Sequence, residues 1–282
     1  MEKTPRMSTI EAISLAIIQG LTEFLPVSSS GHLALGHWLF GVNGSEGALP
    51  LEFVVLVHFG TLVAVVVYYW SDIAEIVVDV FRPGREVGEG ETCGWGRRLL
   101  ILLVVATIPA VFAVMVEDYV ERLMNLPWAV GCALLVTGTA LLISERVGKR
   151  VKADRDTRPF DALLVGIAQM AAIIPGISRS GSTIAAGLGV GFKREWAARF
   201  AFLMSIPAIL GGTVYKLKDL IEQGASGAMG LYLLCFAISA VTGYVAIRLV
   251  IGAVQRQNLK YFAAYCYAIG LLAIIADLSN IL

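Results

Sequence analysis

The chain has 282 residues, of which 57% are hydrophobic and only 16% charged. A soluble domain carries about 25% charged residues, so an ordinary water-facing surface is excluded and a lipid-facing one is expected. Twenty-two Lys and Arg balance 22 Asp and Glu, which argues against a general polyanion binder and against nucleic acid as a partner. Cys93, Cys132, Cys235 and Cys266 are too far apart for a zinc or redox motif and read as small buried hydrophobes.

Lys3 and Arg6 precede apolar sequence, but no A-x-A-like cleavage site follows, so the whole chain is read as mature. The first apolar region, 12–41, is interrupted by Pro26-Val27-Ser28-Ser29-Ser30-Gly31. Its halves, about 11–14 residues each, have the length of re-entrant or buried segments. Three segments long enough to span follow, at 51–71, 98–116 and 126–144. A second interrupted region, 162–192, is broken by Pro175-Gly176-Ile177-Ser178-Arg179-Ser180-Gly181, and three more spans are expected at 199–215, 228–247 and 261–277. The Lys- and Arg-bearing stretches 82–98 and 145–158 read as solvated loops. Trp38, Trp70, Trp95, Trp128 and Trp196 lie near span ends and read as interface anchors.

The two interrupted regions resemble each other. Ala12, Ile17, Gln19, Ser28, Ser30 and Gly31 each meet an identical residue 150 positions on, at Ala162, Ile167, Gln169, Ser178, Ser180 and Gly181. The parallel extends weakly to Phe53 with Gly60-Thr61-Leu62 and Phe200 with Pro207-Ala208-Ile209. A hairpin that does not cross plus three spans makes an odd number of crossings, so two such halves must be inverted. Inverted repeats with helices broken near the midplane are a known membrane architecture. The expected fold is an all-α polytopic membrane protein with six transmembrane helices and two re-entrant helix–loop–helix hairpins. Residues 1–150 would form the first repeat and 151–282 the second, within one membrane domain. Sixteen Lys and Arg fall on one side, five (Lys3, Arg6, Arg122, Lys216, Lys218) on the other, and Arg179 lies within the second hairpin. By the positive-inside bias, both termini face outward.

Ionisable groups at membrane depth cost about 2.5–3.5 kcal/mol each on insertion scales and mark function. Glu23, His32 and Arg179 stand out, all within or beside the breaks. Gln19 and Glu23, four apart, share a helix face. Ser28-Ser29-Ser30-Gly31-His32 opens the half-helix after the first break. Any one serine there could simply cap the helix, but unpaired N–H groups at a helix start bind anions, and glycine permits close approach. Ser178-Arg179-Ser180-Gly181-Ser182-Thr183 repeats the device and adds a guanidinium suited to bidentate phosphate contacts. His32 offers proton transfer near neutral pH and a neighbouring hydroxyl offers a nucleophile. Together these suit a multiply charged phosphate, bridged by a divalent metal. A purely stabilising Glu23–Arg179 ion pair is the plainer alternative. Glu52 and His58, on the first span, could line the same cavity, and His37 reads as interfacial.

The run Gln19-Gly20-Leu21-Thr22-Glu23-Phe24-Leu25-Pro26-Val27-Ser28-Ser29-Ser30-Gly31-His32 resembles the first signature of the undecaprenyl-diphosphate phosphatase, or bacitracin-resistance protein, family. Pro175-Gly176-Ile177-Ser178-Arg179-Ser180-Gly181-Ser182-Thr183 resembles its second, P-G-x-S-R-S-x-x-T. The resemblance covers essentially the whole chain. It implies hydrolysis of undecaprenyl diphosphate to the monophosphate carrier of cell-wall (peptidoglycan) synthesis, a divalent cation (Mg²⁺ or Ca²⁺), and a site in the plasma (inner) membrane opening to the outer face. It further implies Glu23 as metal ligand or acid/base, Gln19 as a site-lining partner, and Ser29 as the nucleophile where water does not attack directly. His32 would be the base or leaving-group acid, and Arg179 the phosphate clamp, with Ser178, Ser180 and Thr183 assisting. Ser28, Ser30, Gly31 and Gly181 would line the phosphate, and Glu52 is a further metal candidate. Gln19 stands where many members have Glu, which removes one carboxylate from the metal site. The oligomeric state is left open, a homodimer included.

Two other classes compete. Acid-phosphatase-like lipid phosphatases also carry S-G-H and S-R elements, but the further His that their pattern requires falls at Ala185, and the Lys before Arg158-Pro159 falls at Val151. A secondary transporter or lipid flippase would use the same architecture to hold an anion at the midplane without chemistry.

Overall fold

The computed structural model describes residues 7–39, 49–81, 94–112, 117–147, 151–223 and 228–279. The described chain is helical: α1 (Thr9–Phe24), α2 (Ser29–Leu39), α3 (Leu51–Tyr68), α4 (Trp70–Phe81), α5 (Trp95–Val111), α6 (Glu117–Met124), α7 (Pro127–Arg146), α8 (Pro159–Ala171), α9 (Arg179–Gly189), α10 (Arg194–Gln223), α11 (Met229–Gln255) and α12 (Leu259–Leu278). Extended pairing among these residues is confined to one isolated bridge, Lys152 with Phe192.

Among the described residues, five helices are long and apolar enough to cross a membrane: α3, α7, α10 over Arg194–Lys216, α11 and α12. The protein is a multi-pass membrane protein. The expected span 98–116 is represented by α5, whose 17 described residues rise only about 26 Å at 1.5 Å each, short of the roughly 30 Å hydrocarbon core; residues 113–116 lie outside the described residues. The expected span 51–71 ends early, because α3 closes at Tyr68 and a separate helix, α4, begins at Trp70. Large apolar side chains such as Val67, Val104, Val136, Val241, Leu249 and Leu272 stay exposed. An apolar surface of that extent suits lipid and not water.

Both interruptions have a local cause. Ser8 and Glu11 form a capping box that starts α1: the Ser8 N–H donates to Glu11 Oε2 (2.7 Å) and the Glu11 N–H to Ser8 Oγ (3.3 Å). The helix stops at Leu25, held extended (φ −60°, ψ 138°) because the following Pro26 disfavours helical geometry there. Pro159 opens α8 at its first turn. After Ala171 the chain turns through Pro175 and Gly176, which lies at φ +95° with a would-be Cβ only 2.4 Å from the Val130 carbonyl oxygen. Only glycine fits that turn.

The packing relates the two halves in pairs. Helix α1 lies on α11 and α8 on α5, while α3 lies mainly on α11 and also on α10, and α7 lies on α12. At the α7–α12 crossing, a Cβ on Gly131 would meet the Gly270 carbonyl oxygen at 2.6 Å, and one on Gly270 would meet that of Gly131 at 2.7 Å. Small residues there bring two backbones into contact, as membrane interfaces favour. Phe24, at the end of α1, packs edge-on against Phe202 of α10 (centroids 5.6 Å apart), which fixes the first break to the second half.

The stretch expected as a solvated loop, 145–158, is partly pinned instead. Thr157 is fully buried; its hydroxyl accepts from Trp196 Nε1 (2.7 Å) and its carbonyl from Arg98 (3.0 Å). Lys152 pairs with buried Asp161 at 2.7 Å, and Arg199 pairs with buried Asp72. Trp95 and Trp196 pack on each other here (6.0 Å) and are buried, so neither is an exposed anchor. A connection that must bury polar backbone needs such partners. Residues 82–93 and 148–150, and the side chain of His37, lie outside the described residues.

Candidate functional site

The two breaks meet. Arg179, the first residue of α9, makes an ion pair with Glu23 Oε1 in the last turn of α1. The other carboxylate oxygen, Oε2, accepts from Ser29 Oγ at 2.7 Å and from Gln19 Nε2 at 2.9 Å. Ser180 Oγ donates to the Leu25 carbonyl at 3.0 Å, a second bond from one break to the other. A Cβ on Gly31 would lie 3.2 Å from Gly176 Cα, and one on Gly181 would lie 3.4 Å from Pro26 Cβ. Gly31 and Gly181 thus let the turns pack against each other.

Each break presents a capped helix start. Ser28 Oγ accepts from the Gly31 N–H (3.3 Å) and Ser178 Oγ from the Gly181 N–H (3.1 Å). Ser28 and Ser30 share a hydroxyl bond at 3.3 Å, and Ser178 and Ser180 one at 3.2 Å. The caps use some of the orphan donors that every helix start leaves, and the N–H groups of Ser29, Ser30, Arg179 and Ser180 have no partner among the described residues. Thr183 Oγ1 turns back onto its own helix, donating to the Arg179 carbonyl at 2.8 Å. Ser28 holds a left-handed φ of 71°, strained for a serine.

A cavity of about 160 Å³ lies where these groups converge, lined by Thr22, Glu23, Ser28, Ser29, Ser30, His58, Ala172, Ile177, Ser178 and Arg179. That is many times the roughly 10–15 Å³ that one water requires. Carboxylate, guanidinium, hydroxyls, imidazole and two helix starts therefore face one volume.

His32 is not among the lining residues. Its Nδ1 donates to the Ser28 carbonyl (2.7 Å), so Nε2 is the acceptor for the Tyr265 hydroxyl (2.8 Å), and the ring stacks on Tyr265. The proton acceptor that Ser29 touches is Glu23, and His32 bonds the Ser28 carbonyl. Glu52 lies in the first turn of α3 and is not among the residues that line the cavity. No group of three or more His, Cys, Asp or Glu close enough to hold a metal occurs among the described residues. The oxygen donors present still suit a hard cation. Gln19 Oε1 is buried without a partner among the described residues, beside the Glu23 carboxylate. Mg²⁺ commonly takes one or two carboxylates and completes its shell with water and phosphate oxygens.

Two contributors escaped the sequence reading or were left undecided by it. Thr137, on α7, accepts from the Ser178 N–H and donates to the Gly176 carbonyl, both at 3.0 Å, and so clamps the second break. A threonine in an apolar span carries no signal of such a role. His58 does line the cavity, a placement its sequence left open.

Residues 12–272 match the family described as "Bacitracin resistance protein BacA". An undecaprenyl-diphosphatase of Rubrobacter xylanophilus is 40% identical, over 94% of this chain and 97% of that protein. One from Salinibacter ruber is 42% identical, over 94% of this chain and 97% of its own length. Another, from Halothermothrix orenii, is 40% identical over 95% and 98%.

Proposed function

Since the chain belongs to the bacitracin resistance protein family, we propose that it is an undecaprenyl-diphosphate phosphatase, a membrane hydrolase that cleaves a phosphoanhydride. It releases the terminal phosphate of a polyprenyl diphosphate and leaves the monophosphate carrier. The observation that carries the site assignment is the junction of Arg179, Glu23 and Ser29 within one cavity.

In this reading the incoming phosphate draws Arg179 away from Glu23 and accepts hydrogen bonds from the free N–H groups of α2 and α9. Ser28, Ser30, Ser178 and Ser180 shape that cradle, and Gly31, Gly181 and Thr183 support it. Ser29 Oγ attacks the terminal phosphorus, and its proton passes to Glu23. The bond from phosphorus to the bridging oxygen breaks, and the electron pair leaves on the lipid monophosphate. Water then displaces Ser29 and releases orthophosphate. Positioning and charge stabilisation carry most of such a transfer. Glu23 and Gln19 would hold a divalent cation, Mg²⁺ or Ca²⁺, which supplies neutralisation of phosphate charge when bound. His32 acts by orienting Ser28.

We further infer six crossings in two inverted repeats, 1–150 and 151–282, with α1–α2 and α8–α9 as re-entrant hairpins. The paired packing of α1 on α11 with α8 on α5 supports that reading, as do the matching caps 150 residues apart. The Lys and Arg bias supports termini and a site opening on the outer face of the plasma membrane.

The test is phosphate release in detergent by purified protein given undecaprenyl diphosphate, with and without chelator, beside Arg179→Ala. Chelator-sensitive turnover lost in the variant is expected. Undiminished lipid binding without phosphate release would favour a transporter or flippase.

A further inference from the structure

We propose that His58 is a catalytic base of this reaction, taking a proton from the water that attacks phosphorus; the proposal rests on the phosphatase reading of the same cavity. Two histidine rings are described, and they are disposed differently. His32 spends both nitrogens on Ser28 and Tyr265 and does not line the cavity. His58 lines it with Glu23, Ser29 and Arg179.

Its tautomer follows from one contact. Nδ1 lies 2.8 Å from the Val54 carbonyl, an acceptor only, so Nδ1 must carry the proton. The neutral ring then has a lone pair at Nε2, where a base requires it. No hydrogen bond or ion pair occupies Nε2 among the described residues, so that nitrogen is available to a water in the cavity.

The ring stands on a rigid support. Thr61 Oγ1 donates to the His58 carbonyl (2.7 Å), and Ser239 Oγ of α11 donates to the Val57 carbonyl (2.9 Å). A Cβ on Gly60 would come within 2.4 Å of the Phe236 carbonyl oxygen, so α3 touches α11 backbone to backbone just past His58. A base held this way loses little entropy in reaching its water.

The charges facing His58 in the cavity are Glu23 from α1 and Arg179 from α9; Thr22, Ser28, Ser29, Ser30 and Ser178 are neutral. The hydrolytic step balances with these groups. Water oxygen bonds to phosphorus while the bond from phosphorus to Ser29 Oγ breaks. The water proton goes to His58 Nε2, and Ser29 regains its proton from Glu23. An imidazolium and a carboxylate thus appear together, so the site creates no net charge in a low-dielectric place. His58 afterwards gives its proton to the departing phosphate or to solvent.

The experiment uses full-length protein in detergent with undecaprenyl diphosphate, and compares His58→Gln and His58→Ala. Loss of a positioned base lowers rates by about 10²–10⁴-fold, so a fall in kcat of that size is expected for both, with KM little changed. Added imidazole should restore part of the His58→Ala rate, which a merely structural role would not allow. A His58→Gln kcat within about threefold of wild type would overturn the proposal and leave the phosphatase reading standing. So would a loss confined to KM, or one that imidazole leaves untouched. A wild-type protein that releases no phosphate would instead remove the reading on which the proposal rests.

Discussion

In each break a serine caps the next helix: Ser28 Oγ takes the Gly31 N–H, and Ser178 Oγ takes the Gly181 N–H. Each capping serine also meets the serine two positions on. What differs is the residue between them and the helix before. The first break has Ser29 and is preceded by Glu23, whereas the second has Arg179, and Ile173 stands 150 positions after Glu23. Hydroxyl and carboxylate therefore come from the first break and the guanidinium from the second. On the proposed function, one capped turn, present twice, becomes a reactive site because the two breaks bring opposite charges that face each other. Neither half alone holds both.

The largest expected effect comes from breaking that division of charge. Arg179→Ala and Glu23→Gln should each lower kcat/KM by about 10³-fold or more, measured as phosphate release. Each also leaves one member of a buried pair alone, and that costs about 3–5 kcal/mol. Glu23→Gln combined with Arg179→Met should recover much of the melting temperature while remaining inactive. Recovery of stability without activity separates the pair's chemistry from its packing role.

Next in size is the turn geometry. Gly176 sits at φ +95°, hard against the Val130 carbonyl, so Gly176→Ala should cost at least about 1–3 kcal/mol. Gly31→Ala, whose Cβ would meet Gly176 Cα at 3.2 Å, should cost less. Denaturation midpoints of the two variants test the order. Capping gives a smaller difference. Ser178→Ala should lose about 1 kcal/mol. Ser28→Gly should lose less than that, because glycine relieves the φ of 71° that the serine bears.

The smallest effect concerns the paired glutamines. Gln19 Nε2 donates to Glu23 (2.9 Å), whereas neither end of the buried Gln169 carboxamide has a partner among the described residues. Replacing an unsatisfied polar group by an apolar one of similar shape is neutral or stabilising. Gln169→Met should therefore hold or raise the melting temperature by an amount worth up to about 1 kcal/mol, while Gln19→Met should lower it.

Much of the site was legible in the chain because apolar sequence makes polar exceptions conspicuous. Glu23, Ser29 and Arg179 had no reason to stand in lipid-facing helices unless they met, and they do. The breaks were legible for the same kind of reason, since Pro26 and Pro175-Gly176 stop helices locally. What could not be read depended on packing between distant segments. Whether His32 or His58 faces the cavity turns on which carbonyl each Nδ1 finds and on how α3 lies against α11. The separate helix α4 was hidden because Asp72, Glu75 and Asp79 look like loop polarity until Arg199 pairs with Asp72 and the Gly96 N–H donates to Asp79. The pinned 151–161 segment was hidden likewise, since Thr157 becomes buried only when Trp196 and Arg98 reach it.

A structure of the protein bound to a polyprenyl methylenediphosphonate, which cannot be hydrolysed, would test most directly whether the two breaks share one phosphate. The terminal phosphonate should lie within hydrogen-bond distance of both Ser29 and the Arg179 guanidinium, with Arg179 drawn off Glu23. A phosphonate held by one break alone, with Glu23 and Arg179 still paired beside it, would contradict the shared site.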